Sequence, residues 1–296
     1  CPFRFPQTGA CCIVSRCNKQ RIRTMFQLLR RRLQGRKAAI DIQPFSRSPA
    51  EIPYRQAKAI VTHVAADRCR SNFLGFPVQD SPFVQILIQD HSRYEGSALE
   101  AFYQTFQPET VGELLGLKIS AIASMPAMSA VMPWWNRHPE QRLEQVAVKS
   151  GSGRLLGKEA IKLGASEQTD FGWQYYGPVS APVGKMEYER QVSVFQSIRD
   201  KGFQPTSATQ IHGEFLVNGE DWVWVNIGGK HRLNSLVALG NPEIQVSAKG
   251  KYGPVIIRRS ESAIWPNVQN GLFDEAEALE LFDRILAGRG PEMKTQ

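Results

Sequence analysis

A hairpin followed by a glycine turn and a helix is the feature that most constrains this fold. Two runs rich in β-branched and aromatic residues, 209–217 and 222–227, flank Asn218-Gly219, the preferred dipeptide of a two-residue hairpin turn. The second run leads into Gly228-Gly229, after which residues 230–239 carry apolar side chains at helical spacing. The sequence therefore predicts a strand that ends at a glycine turn opening a helix.

This glycine turn favours an anion-binding site. Glycine lets the backbone turn sharply and approach a ligand closely. The first amides of a helix have no partner within it, and the helix dipole adds positive potential there. Lys230, His231 and Arg232 bring donors and charge to the same point. We therefore predict that Gly228, Gly229, Lys230, His231 and Arg232 bind phosphate, the alternative being a plain turn with solvated basic side chains.

Elsewhere the patterns predict an α+β fold whose first part is mainly helical. Apolar periodicity, caps and glycine or proline breaks locate the elements. The predicted elements are helices at 53–70, 97–106 and 108–117, a buried strand at 83–88, a packed loop at 121–140, a helix ending at Gly202, strands at 244–248 and 254–258, and a final helix capped by Asp274.

Composition and the glycine and proline breaks divide the chain into four parts. Residues 1–40 form a basic arm that we expect to be disordered or partly helical, and residues 41–183 a mixed, mainly helical region. Residues 184–290 are predicted to form an α+β domain that carries the glycine turn, and 291–296 a tail.

The charge distribution argues against general nucleic-acid binding. The net charge is +8, but residues 1–40 hold ten basic and no acidic side chains, so the other 256 residues carry 26 basic and 28 acidic groups. A duplex-binding protein needs a cationic face on its folded body. Nucleic acid is therefore not an expected partner.

Cysteine use and hydropathy favour a cytoplasmic protein. Four of the five cysteines lie in the first 17 residues, unlike a disulfide framework spread through a fold, and no metal site is predicted. No apolar run is long enough to span a bilayer. The basic stretch 25–37 could contact the inner membrane surface peripherally, with a solvated helix end as the alternative. Met25 reads like a natural start, so residues 1–24 are expected to be either upstream sequence or a disordered arm.

The loop Gly228-Gly229-Lys230-His231-Arg232, its apolar helix and Leu239-Gly240 resemble the ParB/sulfiredoxin-like superfamily. ParB proteins carry G-x-R-R, sulfiredoxins G-G-C-H-R, and relatives that phosphorylate free serine G-x-H-R. The resemblance implies a ParB/sulfiredoxin-like sheet and nucleotide phosphates bound by Gly228, Gly229, His231 and Arg232. Lys230 stands at the reactive cysteine of sulfiredoxins, which argues against sulfinic-acid reduction, and no helix-turn-helix follows.

Three further motifs resemble uncharacterised bacterial ParB-like proteins found among surface-polysaccharide genes. They are residues 94–97, residues 177–180, and the Trp265-Pro266-Asn267-Val268 segment. This resemblance implies a sugar or glycan substrate.

The resemblance to relatives that phosphorylate free serine implies a kinase, and a kinase needs an acidic residue and substrate-binding residues. Phosphoryl transfer to a hydroxyl needs a proton acceptor and usually Mg²⁺. We predict Glu187, Lys230 and His231 as catalytic residues, with Glu187 as the base and with Lys230, His231 and Arg232 holding the transferring phosphate. ATP or another nucleoside di- or triphosphate and Mg²⁺ are the expected cofactors. The candidate substrate-binding residues are Arg190, Arg258, Trp265 and Asn267. Dipole complementation for Glu187, edge decoration for Arg258 and core packing for Trp265 are the alternatives.

The sequence thus favours a nucleotide-dependent phosphotransferase acting on a small hydroxyl compound or sugar. A nucleotide-binding regulatory module without turnover is the alternative. A ParB-like DNA-binding protein or nuclease is a third interpretation, which the nearly neutral body disfavours.

Overall fold

The computed structural model describes residues 60–89, 93–151, 172, 174–206, 209–248 and 252–291, all of which belong to one compact unit of the chain. The basic arm, residues 1–40, and the tail after residue 291 lie outside these ranges. The strands are β1 (Ile60–Ala65), β2 (Cys69–Arg70), β3 (His212–Asn218), β4 (Asp221–Gly228), β5 (Glu243–Ala248) and β6 (Ile256–Arg258).

The α-helices in the described ranges are mostly short, with one long exception. They are α1 (Pro82–Ile88), α2 (Ala98–Thr105), α3 (Val111–Leu115), α4 (Pro139–Gly151), α5 (Ala181–Lys201), α6 (Lys230–Ala238), α7 (Pro266–Gln269) and α8 (Glu275–Leu286). Among them, none is both long and apolar enough to cross a bilayer.

The six strands form one mixed sheet, which confirms the predicted α+β class. The order is β1-β5-β3-β4-β2, with β6 also pairing with β3. The β3–β4 and β1–β5 pairs are antiparallel, whereas β3 runs parallel to β5 and β6, and β2 runs parallel to β4. The predicted hairpin is confirmed, because Asn218 pairs with Asp221 and Gly219 has a φ of 60°.

Both faces of the sheet are covered. Successive strand residues point to opposite faces, so Phe215 and Val217 pack in the cluster under α5 and α6, which includes Leu233 and Ile198. Leu216 packs in the opposite cluster, which contains residues from the 106–135 segment and from α8. The result is a three-layer arrangement around β3 and β4.

Two predicted elements in the first part of the chain are wrong. Of the helix predicted at 53–70, residues 53–59 lie outside the described residues, and residues 60–70 form β1, a 3₁₀ turn at Ala66–Arg68 and β2 instead of an α-helix. Ile60, Val61, Thr62 and Val64 suit an extended chain and pair with β5. Residues 83–88 form helix α1 rather than a strand. Ser81 caps this helix by accepting a hydrogen bond from the Phe83 amide, and Pro82 occupies its first position.

Several other elements are confirmed with the caps expected. The Asp274 carboxylate accepts a hydrogen bond from the Glu277 amide at the start of α8. Helix α5 ends at Gly202, and α2 and α3 match the helices predicted at 97–106 and 108–117. Residues 121–138 form the predicted packed loop, interrupted by a short 3₁₀ turn at Ala127–Ser129.

The sequence predicts a domain boundary between residues 183 and 184. Whether the two parts fold independently stays a prediction. The boundary falls in the first turn of α5, and β1 and β2 from the preceding region share the sheet with β3, β4 and β5. Strands from both sides of the boundary therefore form one hydrogen-bonded structure.

Glu214 is a buried carboxyl in this core. The sequence indicates a solvated turn charge at this position, but Glu214 lies on β3 and is only 4% exposed. The indole N–H groups of Trp134 and Trp135 donate to it at 2.6 and 3.1 Å. Burial raises the pKa of Glu214 to about 7, although these two hydrogen bonds act in the opposite direction.

Replacing Glu214 with Gln should flatten the pH dependence of stability. The folded-state pKa lies above the unfolded value of 4.5, so the stabilisation by the neutral carboxyl is complete below pH 4.5 and is lost as pH rises through 7. The wild-type free energy of unfolding should fall by about 3 kcal/mol across this window. Urea unfolding followed by tryptophan emission measures it.

The exposed hairpin residue Glu220 provides the control. Glu220→Gln should retain the wild-type pH slope, and an unchanged slope in Glu214→Gln would contradict the assignment of the titration to Glu214.

Candidate functional site

The predicted strand, glycine turn and helix are present as β4, Gly228-Gly229 and α6. Gly229 has a φ of 83° and forms the N-cap of α6. A Cβ at this position would lie 3.0 Å from the Ile211 Cα and 3.1 Å from the Gln210 carbonyl oxygen. The left-handed backbone and the close approach of residues 210–211 therefore both require glycine.

The N-terminal end of α6, from Gly229 to Arg232, is called its mouth and presents backbone groups. Gly229 has no side chain to cap the helix, and its carbonyl accepts hydrogen bonds from the Arg232 and Leu233 amides at 3.0 and 3.1 Å. The amides before them lie at the start of a nine-residue helix, where no intrahelical acceptor exists. Together with the helix dipole, they give the mouth positive potential.

Helix α6 is fixed against α5 by buried polar contacts. The Gln191 side-chain amide donates to the His231 carbonyl at 3.1 Å and to the Ser235 hydroxyl at 3.2 Å, and it accepts from Asn234 at 3.2 Å. Gln191, Asn234 and Ser235 are all buried, and Leu233 packs below them. These contacts set the position of the helix mouth relative to α5.

Glu187 of α5 is the centre of an ionic cluster. Its carboxylate is fully buried, and its Oε1 lies 2.6 Å from His231 Nε2 and 3.2 Å from Lys230 Nζ. Its Oε2 lies 3.6 Å from Arg190 Nη1. The structure therefore brings together four residues predicted from the sequence, Glu187, Arg190, Lys230 and His231.

The charges in this cluster stabilise one another. Burial raises the pKa of Glu187, but Lys230 and His231 lower it by more, so the pKa lies below its usual value. Burial lowers the pKa of Lys230, and Glu187 opposes this change. Lys230 Nζ also donates to the Gln174 carbonyl at 2.8 Å and lies 3.7 Å from the centre of the Phe83 ring.

Arg232 differs from its two neighbours. Among the described residues its guanidinium has no ion-pair partner, and its Nε has no hydrogen-bond acceptor. The side chain folds over the glycine turn, since a Cβ on Gly229 would lie 3.3 Å from Arg232 Nη2. Burial lowers its pKa. The Arg232 charge is thus available to a ligand at the helix mouth.

A cavity of about 290 Å³ opens beside this mouth. Gly228, Gly229, Lys230, His231 and Arg232 line one side of it, and aromatic side chains line another. The aromatic residues are Phe76, Phe83, Phe102 and Tyr175, and the polar residues on the wall include Asn72 and Asn226. Cationic donors beside aromatic faces suit a ligand that carries both a phosphate and a planar ring.

The other predicted substrate-binding residues do not line this cavity. Arg258 lies 3.6 Å from Glu261 at the end of β6. Trp265 is fully buried and stacks on Phe282, with ring centres 5.6 Å apart. Asn267 donates to the Met132 and Arg137 carbonyls and lines a different cavity.

Sequence reasoning missed the residues that complete the cavity and its support. Phe83 was assigned to a strand, and Asn72, Tyr175 and Gln191 carried no motif. The available signal is Ser81 followed by Pro82, which is typical of a helix start and predicts a helix over residues 82–88. The remaining contacts join distant segments, for which a single sequence holds no local signal.

The described residues around the cavity provide no carboxylate ligand for the expected Mg²⁺. Mg²⁺ requires oxygen ligands, usually one or two carboxylates together with substrate phosphates. None of the described residues that line the cavity is Asp or Glu, and the Glu187 oxygens face Lys230, His231 and Arg190. In the described part of the chain, no group of three or more His, Cys, Asp or Glu side chains could hold a metal ion.

Replacing Glu187 with Gln should lower the free energy of unfolding by about 3 kcal/mol near neutral pH, because Lys230 would keep a buried charge without its carboxylate. The folded-state pKa of Glu187 is depressed below 4.5, so the wild-type advantage should be present above pH 4.5 and disappear as pH falls through the folded value. Urea unfolding of the wild type and the variant, near neutral pH and at an acidic pH below the folded-state pKa, measures the difference in the free energy of unfolding.

Glu189 on the same helix is exposed and serves as the matched control. Glu189→Gln should change stability by less than about 0.5 kcal/mol. Equal stability of the two variants would show that the Glu187 cluster does not hold α5 and α6 together.

Comparison of the chain with protein-family models, with curated proteins and with solved structures finds no match.

Proposed function

We propose that this protein is a nucleotide-dependent phosphotransferase of the ParB/sulfiredoxin-like type, acting on a small hydroxyl compound or sugar. The observation that carries the proposal is the Arg232 guanidinium, which has no partner among the described residues and folds over the mouth of α6 beside the cavity. Arginine and helix amides are both preferred ligands of phosphate oxygens.

The nucleotide would lie across the cavity. Its phosphates would accept hydrogen bonds from the first amides of α6 and from Arg232, while its base would pack against aromatic side chains such as Phe83 and Tyr175. Lys230 would add positive charge near the phosphates without donating a hydrogen bond to them, because its ammonium is bound by Glu187 and the Gln174 carbonyl. ATP is the nucleotide we expect.

The proton acceptor in this proposal is His231, with Glu187 in a positioning role. Glu187 is a weak base, because its pKa is lowered and its Oε1 is bound by Lys230 and His231. The contact between Oε1 and His231 Nε2 favours the tautomer in which Nε2 carries the proton, which gives Nδ1 a lone pair. His231 lines the cavity and is therefore accessible to an acceptor.

The transfer step follows from these positions. The acceptor oxygen attacks the terminal phosphorus as its proton passes to His231 Nδ1, and the bond from that phosphorus to the bridging oxygen breaks. The shortened nucleotide leaves with the bridging oxygen. The resulting imidazolium is stabilised by the ionised Glu187 carboxylate.

A nucleotide-binding regulatory module without turnover is the second candidate. Two observations favour it: both Lys230 and His231 are bound by Glu187, and none of the cavity-lining residues in the described ranges is a carboxylate. In that case the same Arg232 contact would bind nucleotide without consuming it.

Arg232→Ala should weaken nucleotide binding by at least about tenfold, because one charge-assisted phosphate contact is worth roughly 1.5–3 kcal/mol. Isothermal titration with ATP, ADP and CTP measures the change. Arg258→Ala is the matched control, since Arg258 does not line the cavity, and it should bind as wild type does. Wild-type affinity in the Arg232 variant would show that the phosphates lie elsewhere.

His231→Gln separates the two candidates. If phosphoryl transfer occurs, nucleotide consumption should depend on an added hydroxyl compound and should fall at least about 100-fold in this variant, while nucleotide affinity changes far less. Consumption is followed by chromatography of the nucleotides, with a panel of sugars and hydroxy amino acids as acceptors. Tight binding with no consumption across the panel would favour the regulatory module.

A further inference from the structure

A second cavity, of about 420 Å³, lies where residues 136–141 meet residues 266–270. Five of the eight described residues that line it carry side-chain amides, and none of the eight is Asp or Glu. The amide residues are Asn136, Gln141, Asn267, Gln269 and Asn270. Such a wall offers hydrogen-bond donors and acceptors without negative charge.

Arg137, which also lines this cavity, is a buried cation. It is only 8% exposed, and its guanidinium lies 4.7 Å from the centre of the Tyr252 ring. Its Nη2 donates to the Gln145 side chain, whereas its Nη1 has no hydrogen-bond acceptor in the described part of the chain. No carboxylate within the same ranges forms an ion pair with Arg137.

Arg137 therefore lacks a carboxylate partner in the described ranges, and only neutral groups offset its charge: the Tyr252 side chain, the Gln145 side chain and the Gln141 carbonyl. Burying a charge without a partner is costly, so such groups are usually paired. Arg142 adds positive charge nearby, and its Nε also has no hydrogen-bond partner among the described residues. His138 at the rim has its own partner, since its Nδ1 lies 3.6 Å from the exposed Glu140.

The wall of the cavity is held in place by the backbone. Asn267 is 1% exposed, and its amide nitrogen donates to the Met132 and Arg137 carbonyls at 2.9 and 3.1 Å. Its Oδ1 accepts from Asn270 Nδ2 at 3.1 Å. Asn136, Gln269 and Asn270 remain exposed at the surface of the cavity, where they can reach a ligand.

We propose that this second cavity binds a small oxyanion, a phosphate or a carboxylate with neighbouring hydroxyl groups, held by the field of Arg137 and by the surrounding amides. The anion supplies the negative charge that the described residues do not supply to Arg137. The amide side chains bind its oxygen atoms and hydroxyl groups, as they do in other polar ligand sites. This site is independent of the cavity beside Arg232.

The test measures anion binding by the full chain carrying Arg232→Ala, which removes the charge at the other cavity. The probes are inorganic phosphate and gluconate, with glucose as the uncharged comparison, and isothermal titration gives the affinities. Phosphate, gluconate or both should bind measurably more tightly than glucose. The stronger of the two anions identifies the source of the oxyanion.

Asn136→Asp, added to the same chain, places a carboxylate at the exposed rim and should weaken anion binding at least about tenfold by repulsion and by competition for the arginine field. Asn218→Asp at the hairpin is the matched control and should have no effect. The proposal is overturned if both anions bind no more tightly than glucose, or if the Asn136 and Asn218 variants bind alike. Neither outcome bears on nucleotide binding at Arg232.

Discussion

The buried carboxylate of Glu187 is the interaction on which the candidate site depends. It joins α5 to the first turn of α6, and it can remain ionised only because Lys230, His231 and Arg190 surround it. This pairing divides the three consecutive basic residues of the loop into two groups. Lys230 and His231 are held towards the interior, and Arg232 folds over the glycine turn beside the cavity. The sequence presents the three residues as equivalent phosphate ligands, but their contacts differ. Glu187 binds Lys230 and His231, whereas Arg232 folds over the glycine turn.

The sheet explains why such distant segments meet at this point. Because both of its faces are covered, the end of β4 emerges between the layer formed by α1, α5 and α6 and the packed segment on the other side. Phe83 of α1 reaches the Lys230 ammonium, and the Gln174 carbonyl reaches it from another part of the chain. The cavity is thus a consequence of three-layer packing around the carboxyl end of a strand, the position at which open α/β sheets also bind ligands.

The sequence predicted what short-range chemistry determines. The Asn218-Gly219 hairpin, the Gly229 turn and the Asp274 cap each rest on local backbone preferences, and the structure contains all three. The strand β1 and the helix α1 were misassigned because short apolar runs fit either period, and tertiary pairing decided between them. The contacts of Glu187 with Lys230 and of Glu214 with Trp134 span 43 and 80 residues, so no local pattern announces them.

The same pairing that organises the fold bears on the proposed chemistry. A histidine accepts a proton more readily when its cation forms beside a carboxylate that is already ionised. The pKa of Glu187 is lowered, so this carboxylate is ionised at neutral pH, and a proton taken up at His231 Nδ1 in the proposed reaction would complete an ion pair rather than create an isolated charge. Conversely, moving the proton from His231 to Glu187 is disfavoured, because Lys230 lies 3.2 Å from the same oxygen. In the proposed reaction, the base at the mouth of α6 would therefore be oriented by one buried residue of α5, Glu187.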